Sequence, residues 1–159
     1  GLIGFRSQFL TMTSGSGIMT HIFDHYGPVT TAVLAARQNG VLVSMVTGKS
    51  LAYALHALQE RGRLFLDPNI QVYEGQIVGL HSRGNDLVVN PTKAKQLTNV
   101  RASGTDEALT LSPPVKHTLE QALEFIEEDE LVEVTPESIR LRKKWLLEHE
   151  RKRASRSAA

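Results

Sequence analysis

The sequence predicts an α+β fold, with a mostly antiparallel, β-rich domain that carries two or three helices. Two observations lead to this class. Short runs rich in Val, Ile and Leu recur between Gly, Pro, Asn and Asp turns, and longer stretches space their apolar residues as helices do. With 159 residues, 41% of them hydrophobic, and a net charge of +1, the chain can bury one core with a small annex.

Residues 1–29 form the first predicted unit, a helix followed by a strand. The helix has apolar residues at helical spacing, at Phe5, Phe9 and Met12. Residues 17–23 alternate as a strand does, and the Gly-Pro pair after them ends the strand. One helix and one strand cannot bury a core, so we expect this unit to complete a sheet only with sequence from outside the chain.

The second predicted domain, residues 30–159, opens with a hairpin over residues 32–46. Its turn is Asn39-Gly40, a pair that favours the type I′ geometry. A helix follows, with Leu51, Leu55 and Leu58 on one face and Gly62 at its end. Four further runs are predicted as strands: RLFL (63–66), VYEGQIVGLH (72–81), DLVVN (86–90) and EALTLSPP (107–114). Residues 91–106 show no periodicity and are predicted as a long loop.

The last third of the chain carries clear local signals. Thr118 and Gln121 form a capping box at the start of a helix, and ELVEV (130–134) is predicted as a strand. SIRLR (138–142) alternates as a strand, although the Thr-Pro pair before it could instead begin a helix. A basic helix is then expected from Lys143 to about Arg153.

The near-neutral net charge hides an uneven distribution. Eight acidic and no basic residues lie between 120 and 137, which we interpret as a solvated face, with no carboxylate marked as buried. Eight basic residues lie between 140 and 156, and three more between 90 and 104, where no acidic residue occurs. These two basic zones are the better candidates for binding a polyanion.

Several kinds of site are excluded by spacing or composition. Gly48-Lys49-Ser50 follows a predicted strand, but Val43 stands where a nucleotide-binding P-loop needs its first glycine. His21 and His25 would lie about 13 Å apart on a strand, too far for one metal ion. No serine sits in a nucleophile elbow, there is no cysteine, and no apolar run could span a bilayer. We therefore expect no catalytic residue, metal site, small-molecule substrate or membrane partner.

The candidate binding residues are instead cations and amides suited to RNA. Lys93, Lys95 and Arg101 lie in the predicted loop, with Asn90 at its base, and such residues suit phosphate and sugar contacts. Lys49 is expected at a helix N-terminus, where an external anion would be attracted by both the helix and the ammonium group. The alternative for each is an ordinary solvated side chain.

Longer blocks of the sequence resemble known families. GLIGFRSQFLTMTSGSGIMTHIFDHYGPV resembles the last helix and strand of the fifth, ferredoxin-like domain of elongation factor G. The rest resembles the C-terminal domain of the BipA/TypA translational GTPases, in blocks that include RQNGVLVSMVTGKSLAYAL, VYEGQIVGLHSR, NDLVVNPTK, LTNVRASGTDEA and TLEQALEFIEEDELVEVTPESIRLRK.

This resemblance implies a cytoplasmic, ribosome-binding protein that acts in ribosome assembly and in stress adaptation. Its partners would be large-subunit RNA and the acceptor end of tRNA, approached by the loop equivalent to residues 90–99. GTP and Mg²⁺ would belong to a G-domain outside this chain, so no cofactor is expected here. The alternative is a protein-interaction module that uses the acidic helix and the basic tail.

Overall fold

The structure, a computed structural model, describes residues 5–28, 37–95 and 109–157. These residues form four helices and eight strands. The helices are α1 (Phe5–Met12), α2 (Ala52–Gln59), α3 (Leu119–Phe125) and α4 (Glu148–Ser157). The strands are β1 (Val41–Ser44), β2 (Gly48–Lys49), β3 (Gly62–Leu64), β4 (Gln71–Val72), β5 (Gln76–His81), β6 (Leu87–Val89), β7 (Glu130–Val134) and β8 (Ile139–Lys143). The α+β class predicted from the sequence is confirmed.

The sheet is organised around β5, its longest strand. The strand order is β6-β1-β5-β8-β7, and β3 also pairs with β5. One edge of β5 is shared, since β3 pairs at Gly79 and β8 pairs at Ile77. Only β1 and β6 are parallel in this sheet, with Leu42 opposite Leu87. A separate antiparallel pair joins β2 and β4.

Each face of this sheet is covered by a helix, because the alternation along β1 and β5 sends apolar side chains both ways. The face toward α2 is a cluster of buried residues: Leu42, Leu55, Leu58, Leu64, Val72, Val78 and Val89. The opposite face packs beneath α3 and consists of Val41, Val43, Ile77, Ala122 and Leu141. None of the described helices is long and apolar enough to cross a membrane.

The second arm of the hairpin predicted at residues 32–46 is confirmed as strand β1, but the hairpin pairing is wrong, and the first arm mostly lies outside the described residues. The two edges of β1 are already occupied, one by β5 and the other by β6. Asn39 and Gly40 do not take the positive φ angles that a type I′ turn requires. A glycine is needed at position 40 for another reason, because a Cβ there would lie 2.2 Å from the carbonyl carbon of Asn85.

Two other predicted strands do not form among the described residues. Residues 17–23 are irregular, and the side chains of Ile18 and Ile22 are 89% and 91% exposed. A strand needs a neighbouring edge, and the sheets formed by the described residues do not pair with this segment. Residues 109–114 are also irregular. They attach to α2 through Gln59, whose amide donates to the carbonyl of Thr110 at 3.0 Å.

The remaining local predictions are largely confirmed. The capping box at Thr118 and Gln121 is present, and SIRLR forms β8 rather than a helix. The basic helix begins at Glu148 instead of Lys143, because residues up to Lys143 continue β8, and it extends to Ser157. Gly62 does not end α2. It begins β3, where a Cβ would lie 1.9 Å from the carbonyl oxygen of Leu80.

Candidate RNA interface

The base of the predicted RNA-binding loop is a tight turn directly after β6. The side-chain oxygen of Asn90 accepts hydrogen bonds from the backbone N–H and the hydroxyl of Thr92, both at 2.9 Å. This Asx turn is local, as is typical of asparagine. Pro91 is fully buried, and its carbonyl accepts from the N–H of Leu51 at 2.9 Å. The start of the loop is therefore fixed to the segment that precedes α2.

Lys49 does not lie at a helix N-terminus, so that expectation is wrong. It lies in β2, opposite Gln71, and the N-cap of α2 is Leu51. The run before the helix pairs with β4 because its backbone is extended. Strand β2, which contains Lys49, nevertheless passes close to the start of the loop. A Cβ on Gly48 would lie 3.2 Å from the Thr92 side chain, so β2 passes against the loop base.

The structure thus places the backbone of two predicted cations near one contact. Lys49 and Lys93 each lie one residue from the contact between Gly48 and Thr92, and both side chains are exposed. Lys95 is exposed two residues further along, whereas Arg101 falls outside the described residues. Exposed ammonium groups beside a backbone fixed by its own hydrogen bonds can contact phosphates, because such contacts need charge but no deep pocket. Whether these residues bind RNA stays a prediction.

The sequence analysis missed a buried charge cluster, because it found no signal that marks a carboxylate as buried. The Glu130 carboxylate is fully buried and accepts hydrogen bonds from Arg37 Nη1 and Nη2, at 2.9 and 2.8 Å. The ammonium group of Lys143, 2% exposed, lies 2.9 Å from Glu130 and 2.6 Å from Asp86. One signal for this cluster was available in the sequence. When β7 and β8 are paired as an antiparallel hairpin, Glu130 lies opposite Lys143.

Opposing effects set the pKa values within this cluster. Burial favours the neutral form of Glu130, but hydrogen bonds from Arg37 and Lys143 outweigh it and hold its pKa below the usual value. Burial likewise disfavours the Lys143 ammonium. Its hydrogen bonds to three carboxylates outweigh that effect and raise its pKa. Both groups are therefore charged at neutral pH.

The same cluster contains three carboxylates close enough to share a cation. Ligand oxygens of Glu127, Asp129 and Glu130 lie within 4.8 Å of one another. Their neighbours already supply positive charge, because Lys143 contacts Asp129 and Glu130 at 2.9 Å, and Arg37 lies 3.6 Å from Glu127. These acids are thus neutralised by side chains of the chain itself, which argues against a metal centre.

Comparisons with known proteins show which proteins this chain is similar to. The model of the TypA/BipA C-terminal domain family matches residues 39–148. A Haemophilus influenzae protein named large ribosomal subunit assembly factor BipA is 61% identical over 157 residues, which cover 99% of this chain and 26% of that protein. Proteins of the same name from Escherichia coli K12 and Buchnera aphidicola are 60% and 57% identical, over 99% and 98% of this chain and 26% of each relative.

The chain spans about a quarter of the length of the curated relatives that it matches. The family match begins just before β1, includes the sheet and both helices that cover it, and ends at the first residue of α4. It covers more than half of the chain, and the resemblance noted in the sequence is confirmed. This chain belongs to the TypA/BipA C-terminal domain family.

Proposed function

We propose that this chain is the ribosome-docking, RNA-contacting region of a large-subunit assembly factor, and that it catalyses no reaction itself. The main observation that supports this proposal is that relatives about 60% identical over nearly the whole chain are named large ribosomal subunit assembly factor. The partners in this proposal are large-subunit RNA and the acceptor end of tRNA. The parent protein works in the cytoplasm and in stress adaptation, and it holds GTP and Mg²⁺ in a G-domain outside this chain.

The surface at the loop base supports an RNA partner. Exposed Lys49 and Lys93 flank the contact between β2 and the loop, and Lys95 follows. Asn90 shapes the turn that precedes Lys93 and Lys95. In the proposal the three lysines and Arg101 contact phosphates, because point charges bind the backbone of RNA without reading its bases.

The test is a ribosome pelleting assay across a salt series, with the full-length parent carrying Lys93→Ala, Lys95→Ala and Arg101→Ala together. Each lost phosphate contact should lower the salt slope by about one unit, so the triple variant should lose roughly three units. Lys116→Ala is a matched control, since its side chain is 78% exposed and lies 3.5 Å from Asp67. Unchanged affinity and slope in a variant with intact circular dichroism would contradict the proposed interface.

A protein-interaction module is the second candidate, and one observation favours it. The outer face of α3 exposes Leu119 and Leu123, at 39% and 56%. Within the acidic run beside this helix, Glu130 is unavailable to a partner, because it is buried against Arg37 and Lys143. An apolar interface would keep its affinity at high salt, whereas the RNA interface would lose it, so the same salt series separates the two.

A further inference from the structure

The connection from β8 to α4, residues 144–147, is fixed on the end of the sheet. The N–H of Lys144 donates to the carbonyl of Asp129 at 2.8 Å. The backbone also passes directly over Gly75, where a Cβ would lie 2.6 Å from the Cα of Leu146. Gly75 has a φ of +85°, so two separate requirements demand a glycine there. This short connection therefore has one defined path.

The connection presents the only tryptophan of the chain at the surface. Trp145 is 39% exposed, and the Lys144 ammonium lies 5.1 Å from the centroid of its ring. Arg151 reaches back from α4 and donates to the carbonyls of Trp145 and Leu146. The indole ring is thus partly exposed on a fixed backbone, with the Lys144 ammonium over one of its faces, and little conformational entropy would be lost when a ligand binds to it.

The helix that follows is basic and has no apolar face. All of α4 lies within the described residues, and none of its side chains is buried. Arg153 and Arg156 are exposed on it, and so is Lys152, whose ammonium group is paired with Glu148 at 2.5 Å. A helix of this composition is unsuited to a membrane surface or to an apolar groove, because both bind through an apolar stripe. An aromatic ring followed by exposed cations is instead suited to single-stranded nucleic acid, because an unpaired base can stack on the ring while the neighbouring phosphates contact the cations.

We propose that Trp145, Lys144 and the three exposed cations of α4 form a second RNA-binding surface, here called the tryptophan platform. An unpaired base stacks on the indole ring, and the adjoining phosphates contact Lys144, Lys152, Arg153 and Arg156. The surface goes beyond the function proposed above, because the loop lysines offer phosphate contacts alone. The platform adds an aromatic ring, so it favours single strands over duplexes, whose bases are already stacked.

The test uses the fluorescence of Trp145 in the 159-residue chain. A ten-nucleotide oligouridylate should quench this emission, and the same RNA carrying a dye should bind with the same affinity by anisotropy. Trp145→Leu should weaken binding at least about fivefold, the lower limit for one lost base stack, while Trp145→Phe should retain part of the affinity. Arg153→Ala with Arg156→Ala should lower the salt slope by about 1.4, the value for two phosphate contacts to a single strand.

Controls separate this surface from the loop. Lys93→Ala with Lys95→Ala should leave the quenching by oligouridylate intact, so failure of the loop proposal would not affect this result. Saturating RNA binding without any quenching, or an unchanged affinity in Trp145→Leu, would overturn the platform. Quenching by vesicles of anionic lipid in place of RNA would also overturn it, in favour of a membrane surface.

Discussion

Replacing Glu130 by Gln should lower the free energy of unfolding by about 3–5 kcal/mol. The Glu130 carboxylate accepts four hydrogen bonds with its two oxygens. One oxygen faces Lys143 Nζ and Arg37 Nη2, and the other faces Arg37 Nη1 and the N–H of Glu127. A glutamine has one oxygen and one NH₂ group, so in either orientation two buried donors face another donor.

The magnitude follows from those two lost hydrogen bonds. Bonds to charged groups contribute roughly 1.5–3 kcal/mol each, so the loss of two agrees with the range for breaking a buried ion pair. Lys143 keeps its contacts to Asp86 and Asp129, at 2.6 and 2.9 Å, which places the estimate nearer to 3 kcal/mol than to 5. A domain with a total stability of about 5–15 kcal/mol would be visibly weakened.

The assay is urea unfolding followed by circular dichroism, with Glu128→Gln as the matched control. Glu128 is exposed and lies two residues away, so its replacement should change stability by less than about 0.5 kcal/mol. If Glu130→Gln lowered the free energy of unfolding no more than Glu128→Gln did, the buried cluster would not be stabilising the sheet and the reasoning would fail.

The effect of Glu130→Gln on the free energy of unfolding should depend on pH. The pKa of Glu130 is lowered in the folded state, so its contribution is present above the unfolded pKa and is lost as pH falls through the lowered folded value. The stability gap between the original protein and Glu130→Gln should therefore be constant near neutral pH and should narrow below about pH 4. A gap that widened on acidification would contradict the assigned sign.

Two further predictions concern nucleotides and the domain boundary. The chain should bind neither GTP nor ATP, because Val43 is 1% exposed inside β1, whose two edges are paired, and so provides no phosphate-binding turn; micromolar affinity in calorimetry that Lys49→Ala abolishes would contradict this. A chain that begins at residue 30 should keep its cooperative thermal transition, because among the described residues neither core cluster includes one before Val41; loss of that transition would show that the boundary after residue 29 is misplaced.

Local sequence signals predicted the elements that depend on local physics. The Thr118 capping box, the leucines of α2 and the alternation in β8 all involve residues within a few positions of one another. The hairpin failed because Asn39-Gly40 is a strong local turn signal, whereas β1 actually pairs with Leu80 and Leu87, about 40 residues away. Non-local pairing is selected by burial of both faces, which a turn motif does not report.

The candidate RNA interface likewise has a part that local sequence predicts and a part that depends on tertiary contacts. The basic composition of residues 90–104 predicts a loop suited to phosphates, but it could not show that β2 passes against the loop base at Thr92. That arrangement depends on a backbone hydrogen bond between Leu51 and Pro91, forty residues apart. Lys49 was therefore expected at a helix N-terminus beside an external anion, whereas the tertiary pairing places it, exposed, in β2.

The burial of Lys143 could have been predicted from the alternation of residues along β8. Ile139 and Leu141 were predicted on one face of β8, and continuing that period of two by one step places Lys143 on the same inward face. An inward lysine needs an anion, and the hairpin register supplies Glu130 directly opposite. Arg37 lies 93 residues from Glu130, so no local pattern could identify this third member. The acidic run is accordingly only partly a solvated face, because its buried member fastens β7 to β8 and to the segment before β1.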